Sequence, residues 1–476
     1  MMLWAAWVAM LAASIGQYGY GALLPVLGGT HGWTRWDGFL VLAVWVLCQS
    51  ITVYPMAKLR NRLGLPPVAT MSVGAVLCAT GLVTLGGSSS FAVVLLNHAV
   101  LGGIGAGLIY GTTLSVVARW YPERPARTAF VSGAFAYGSL PFILLAGDFS
   151  GSESIGTFLG LTGLVVLVVV GAAAVVLQDP PENWWPAHVD PRRWALDGSL
   201  NRGLRNNRPA IRCYTPGEMV RCPVFVVLAL VATCAAAVAV FDIAYLAEFA
   251  VRSGWAAGFG GTAVAAFAGA CGLVRGVAGW AAAFFGRRRI VRIALGLGGV
   301  AQLLLPLAGE HRSAGPLLAA CCLAGAAAGT WYAVLPGLTE AHFGERPGLP
   351  IFGLSYCPKA LGGLLGAGLA ASFAGTIGFI VAAALSVTAA VLIGLLRQPG
   401  RPTLPLPGFT PRLSGAGIAG WQWNRIGGRT GNRTWRRSRG CPDPANDRVM
   451  ASEQAPHSID LVALADRDRR FEQAEH

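Results

Sequence analysis

Apolar residues in this chain run in long blocks with short polar segments between them. Residues 157–177, 224–246 and 376–396 each continue for about 20 residues with almost no charge, the length a helix needs to cross a hydrocarbon layer roughly 30 Å thick. The same pattern predicts helices over 3–27, 36–57, 66–87, 91–118, 127–147, 155–177, 223–250, 257–285, 288–308, 315–341, 349–374 and 376–396. The expected fold is an all-α membrane protein of twelve transmembrane helices. The first begins almost at the N-terminus, without the basic n-region and small-residue cleavage site of a signal peptide, and is read as a retained span.

Composition supports this. A chain that is 54% hydrophobic and 12% charged does not have the balance of a soluble protein. Its 64 glycines would weaken helices in water, but in lipid they let helix backbones approach closely. The spacings Gly103-x-x-x-Gly107-x-x-x-Gly111 and Gly362-x-x-x-Gly366 mark faces for such approach. The net charge of +14 raises nucleic acid as a partner, yet the basic residues lie in the loops. Alternate loops starting with the second carry eighteen Lys or Arg, and the opposite face carries three, Arg35, Arg252 and Arg312. By the positive-inside rule both termini are expected in the cytoplasm, the protein sits in the plasma (inner) membrane, and the charge reports topology rather than a nucleic-acid partner. Ten cysteines show neither C-x-x-C nor metal-ligand spacing and serve as small apolar filler, so no metal or cofactor is expected.

The longest internal loop, 178–222, is rich in Arg, Pro and Asn and divides the helices six and six. The expected domains are an N-terminal half (1–177), a cytoplasmic central loop (178–222) and a C-terminal half (223–396). A Gly-, Arg- and Pro-rich tail, 397–476, is expected to be disordered. The second loop reads Ala57-Lys-Leu-Arg-Asn61-Arg62-Leu-Gly64 and the eighth Gly279-Trp-Ala-Ala-Ala283-Phe-Phe-Gly286-Arg287-Arg288. Both resemble the G-x-x-x-D-R-x-G-R-R loop of the major facilitator superfamily, with Asn61 and Ala283 standing where that family has an acid. The resemblance implies two parallel six-helix halves and a cytoplasmic gating role for Asn61, Arg62, Gly64, Gly279, Gly286 and Arg287.

Setting aside the cations of loops and tail leaves two at membrane depth, Arg275 in the eighth span and Lys359 in the eleventh. A cation there costs at least about 2.5–3.5 kcal/mol on insertion scales, so it is kept for a partner, a pathway or a ligand. Asp242 and Glu248 on the seventh span are the deep acids, and Glu248 is expected near the outer interface. Asp242 could balance one cation or carry a proton; at least one cation is left for a ligand. The planar fork of Arg grips a carboxylate through two bonds and Lys adds a mobile point charge, which together suit a small anion.

Segments Gly105-Ala-Gly-Leu-Ile-Tyr110-Gly-Thr, Arg119-Trp-Tyr-Pro-Glu-Arg124, Asp179-Pro-Pro-Glu-Asn-Trp184-Trp185-Pro186 and Phe241-Asp242-Ile-Ala-Tyr245-Leu resemble the oxalate/formate antiporter family. That resemblance implies that Arg275 and Lys359 bind the substrate carboxylates, and that Tyr110, Tyr137, Trp331, Tyr332, Tyr356 and Tyr18 enclose them. The expected function is a secondary active transporter of small carboxylates working by alternating access and anion exchange, as a monomer. A proton-coupled monocarboxylate symporter stays open, as does a membrane sensor on a transporter scaffold. For an enzyme the chain offers no metal-spaced His/Cys cluster, no P-loop and no nucleophile and base pair; His98 in the fourth span is read as a packing or hydrogen-bonding residue.

Overall fold

The computed structural model describes residues 1–146, 152–181, 184–344, 351–373 and 375–399. Expectations placed on the tail from residue 400, and on Arg346 and Glu182, lie outside the described residues.

Helix α1 (Met2–Ala13) passes through a π-helical turn, Ile15–Gly19, into α2 (Tyr20–His31). Helix α3 (Arg35–Leu63) starts at a capping box formed by Thr34 and Asp37 and stops at Gly64, whose φ of 62° is the left-handed conformation that ends helices. Helix α4 (Pro67–Gly87) opens on a proline, whose missing N–H is not needed in the first turn. Next come α5 (Phe91–Val94), a second π-helical segment over Leu95–Gly102, and α6 (Gly103–Trp120). They are followed by α7 (Pro125–Tyr137), α8 (Leu140–Ala146) and α9 (Ser152–Val176). The central segment folds into short helices, among them α10 (Pro191–Leu196) and α11 (Pro216–Arg221). Four long helices then run as α12 (Pro223–Arg252), α13 (Ala257–Phe285), α14 (Arg287–Glu310) and α15 (Ala314–Phe343). The last three are α16 (Ile351–Tyr356), α17 (Lys359–Ser372) and α18 (Thr376–Leu395).

Among the described residues ten helical stretches are long and apolar enough to cross a membrane, and no strand occurs. Some predicted spans are interrupted. The one over 127–147 breaks at Gly138–Ser139 ahead of Pro141, and the one over 349–374 breaks at Cys357–Pro358. In both places a proline next to the start of the second piece has no N–H with which to continue the first. The spans over 3–27 and 91–118 each contain a π-helical segment, a rare geometry that collects at functional sites.

The outside is as apolar as the inside: Leu161, Leu164, Val165, Val168 and Val175 of α9 are all exposed, as a lipid-facing surface requires. Helices before residue 178 meet those after residue 222 where α7 packs on α13, α3 on α17 and α2 on α12. The α7–α13 crossing is one of the close approaches near the site. A Cβ on Gly133 would lie 2.5 Å from the Gly272 carbonyl oxygen, so only two glycines let these backbones meet. The Gly103/Gly107 face of α6 does the same against α3, where a Cβ on Gly107 would lie 2.6 Å from the Gln49 carbonyl oxygen. These crossings hold Ser132 and Gln49 in place.

Candidate substrate site

Arg275 lies mid-way along α13 and Lys359 is the first residue of α17, just after the Pro358 break. They are 1% and 3% exposed, so both charges are cut off from bulk solvent. Arg275 Nη1 donates to the Ser132 carbonyl oxygen at 2.7 Å and to Ser132 Oγ at 2.8 Å. Its Nη2 reaches the Tyr18 hydroxyl at 3.3 Å and Cys271 Sγ at 3.5 Å. Lys359 Nζ donates to Gln17 Oε1 at 3.1 Å, Gln49 Oε1 at 2.9 Å and the Tyr356 hydroxyl at 3.0 Å. Each of these acceptors is neutral, and among the described residues neither cation forms an ion pair.

The two charges converge on one ring. The Arg275 guanidinium carbon stands 5.1 Å and Lys359 Nζ 5.7 Å from the centre of the Tyr332 ring, within cation–π range. Lys359 also lies over Tyr356 at 5.1 Å and Phe135 at 5.8 Å. Tyr110 stacks on Tyr356 with ring centres 5.1 Å apart, and its hydroxyl meets Ser132 Oγ at 3.4 Å. Two polar atoms here are buried and find no partner among the described residues, Arg275 Nε and the Tyr332 hydroxyl. The result is a buried, positively charged, donor-rich centre walled by aromatic rings, suited to a small anion with more than one oxygen.

Of the residues expected from the sequence, Tyr18, Tyr110, Tyr332, Tyr356, Arg275 and Lys359 come together. Tyr137 has another hydrogen-bond partner: its hydroxyl accepts from Trp7 Nε1 at 2.5 Å, and its ring packs where a Cβ on Gly272 would sit. Trp331 is buried, but neither cation lies over its ring among the described residues. Asp242 is buried and balances neither cation: both of its carboxylate oxygens accept from Gln302 Nε2, at 2.9 and 2.8 Å. Sequence reasoning missed Ser132, Gln17, Gln49 and Cys271. The two glutamines could have been noticed as polar amides inside apolar blocks.

In the last turn of α3, Asn61 Oδ1 accepts from Arg119 Nη2 at 2.8 Å, and Arg62 is exposed. A carboxylate nearby, Asp179, pairs with Arg60 and with Arg119. Gly279 faces Ala129 of α7, where a Cβ would come within 2.8 Å. Gly286 (φ 95°) ends α13, and the Arg287 backbone N–H donates to Asn207 Oδ1 at 2.8 Å.

The sequence profile of the Major Facilitator Superfamily matches residues 6–256, more than half of the chain. The chain is 24% identical over 320 residues to the oxalate:formate antiporter of Oxalobacter formigenes, covering 65% of this chain and 71% of that protein. It is 26% identical over 194 residues to the uncharacterized MFS-type transporter YhjX of Escherichia coli (strain K12), covering 37% of this chain and 45% of that protein. With ten membrane-length helical stretches among the described residues, and with that profile match, the chain belongs to the Major Facilitator Superfamily of membrane transporters.

Proposed function

We propose that the protein is a secondary active transporter that exchanges small carboxylate anions by alternating access around Arg275 and Lys359. The observation that carries this reading is the pair of desolvated cations meeting over Tyr332 with only neutral acceptors. Similarity to an oxalate:formate antiporter supports oxalate and formate as the first substrates to try. In this reading twelve helices form two halves, 1–177 and 223–396, joined by a cytoplasmic segment 178–222, with both termini cytoplasmic. A bound carboxylate supplies the counter-charge that the halves need to close over the site, so the loaded carrier turns over faster than the empty one.

The test is a thermal-stability screen of purified protein against oxalate, formate, acetate, lactate, pyruvate and malonate, with exchange then measured in liposomes. Stabilisation by one of these anions should vanish in Arg275→Ala and in Lys359→Ala. If neither substitution changes it, the assigned site is wrong. A second reading, proton-coupled monocarboxylate symport, draws on Asp242, a buried carboxyl whose partner is the neutral Gln302. A pH gradient that drives accumulation in vesicles, and fails to in Asp242→Asn, would select it over exchange.

A further inference from the structure

The two cations are not in the same condition. An ammonium has three N–H donors, and Lys359 has an acceptor for each one, Gln17 Oε1, Gln49 Oε1 and the Tyr356 hydroxyl. These three protein acceptors are enough to saturate it. Arg275 still has an unpartnered, buried Nε among the described residues, and the Tyr332 hydroxyl beside it is equally unmet. The two glutamines are shut away from solvent beside the ammonium, Gln17 at 2% and Gln49 at 0% exposure. The Gln49 amide donates to the Tyr356 hydroxyl at 3.3 Å, and its carbonyl takes a further bond from Ser50 Oγ at 3.2 Å. Gln17 sits in the π-helical turn between α1 and α2, and Gln49 lies on α3. Both reach across the molecule to a lysine more than 300 positions later in the chain.

An amide carbonyl offers a cation a dipole rather than a charge. It can replace water around an ammonium, yet a carboxylate can still displace it. We propose that Gln17 and Gln49 are positioning residues that stand in for the substrate carboxylate at Lys359, let the empty carrier occupy its closed state, and so set how tightly opposing anion fluxes are coupled. This rests on the carboxylate-transport reading above. An arriving anion first meets the open donors, Arg275 Nε and the Tyr332 hydroxyl, and takes Lys359 from the glutamines second. Without the glutamines, closing the empty carrier would strip Lys359 of most of its partners, which a buried cation resists strongly.

The test uses full-length protein in liposomes loaded with radiolabelled oxalate, with efflux read with and without oxalate outside. In Gln17→Leu and Gln49→Leu the ratio of exchange to net efflux should rise about tenfold or more, since each variant removes a hydrogen bond to a buried charge from the empty closed state. Gln49→Glu should move the ratio the other way, toward one, because a permanent carboxylate neutralises Lys359. An unchanged or lower ratio in both leucine variants overturns the proposal. A second readout needs no substrate: acetylation of Lys359 by acetic anhydride in substrate-free protein, followed by mass spectrometry. The wild type should be protected and both leucine variants labelled several-fold faster. Equal labelling in all three overturns the proposal even if a variant carries no flux. If the wild type moves none of the screened carboxylates while labelling behaves as expected, the carboxylate reading fails and the role of the glutamines in closing over Lys359 stands.

Discussion

Gly133→Ala tests whether the α7–α13 crossing holds the substrate site in register. The new methyl would lie 2.5 Å from the Gly272 carbonyl oxygen, a backbone atom that cannot rotate away. Restoring ordinary van der Waals contact requires α7 and α13 to part by about 1 Å. Ser132 is the neighbouring residue, and its bonds to Arg275 of 2.7 and 2.8 Å would stretch past the range in which they count as hydrogen bonds. Each bond to a charged group contributes about 1.5–3 kcal/mol, so loss of the pair is enough to lower exchange by about a hundredfold. Overpacking alone costs about 1–3 kcal/mol of stability, so thermal unfolding is measured beside the flux. Gly276→Ala is the control. It adjoins Arg275 in sequence, but its methyl would meet only the Phe130 side chain, at 3.8 and 4.0 Å. Exchange in liposomes should fall in Gly133→Ala and stay near wild type in Gly276→Ala. Wild-type exchange by Gly133→Ala, or equal losses in the two, would rule out a register role for this crossing.

Three further outcomes are expected. Arg275→Lys keeps the charge but loses the fork that spans Ser132 and Tyr18, and should abolish ligand-induced stabilisation as fully as alanine does, read by thermal shift. Asp179→Asn removes the carboxylate shared by Arg60 and Arg119. Arg60 is 5% exposed, so the loss should reach about 2 kcal/mol, reduced from the fully buried case because Asp179 is partly in solvent, and chemical denaturation would detect it. Glu248→Gln breaks pairs with Arg35 and Arg252 at 2.9 and 2.7 Å that are partly exposed. It should cost less than about 1 kcal/mol, and the difference from wild type should shrink further at high salt.

Hydrophobic length is a property of each segment taken alone, and so the long helices could be read before any contact was known. The breaks inside two predicted spans, at Gly138–Ser139 and at Cys357–Pro358, left no mark on hydropathy because each is local and set by a proline, and Pro125–Ala146 still counts as one membrane-length stretch. The π-helical turns at Ile15–Gly19 and Leu95–Gly102 were likewise invisible, because a one-residue change in hydrogen-bond register leaves no mark on composition. The loop acid shows the opposite limit. Position 61 carries an amide where the family has an acid, and the carboxylate that pairs with Arg60 and Arg119 comes from Asp179, in a distant segment.

The class of the protein and the charge of its centre were legible in the residues alone. Uncharged blocks of membrane length demand lipid, and subtracting the loop and tail cations leaves Arg275 and Lys359. What surrounds those two charges came only with packing. Packing placed Ser132, Gln17 and Gln49 against them, gave Asp242 to Gln302, and bonded the Tyr137 hydroxyl to Trp7. A buried charge announces itself in any sequence because its desolvation is costly. A neutral amide or hydroxyl does not, and its role exists only once the fold carries it across the chain to the charge it must satisfy.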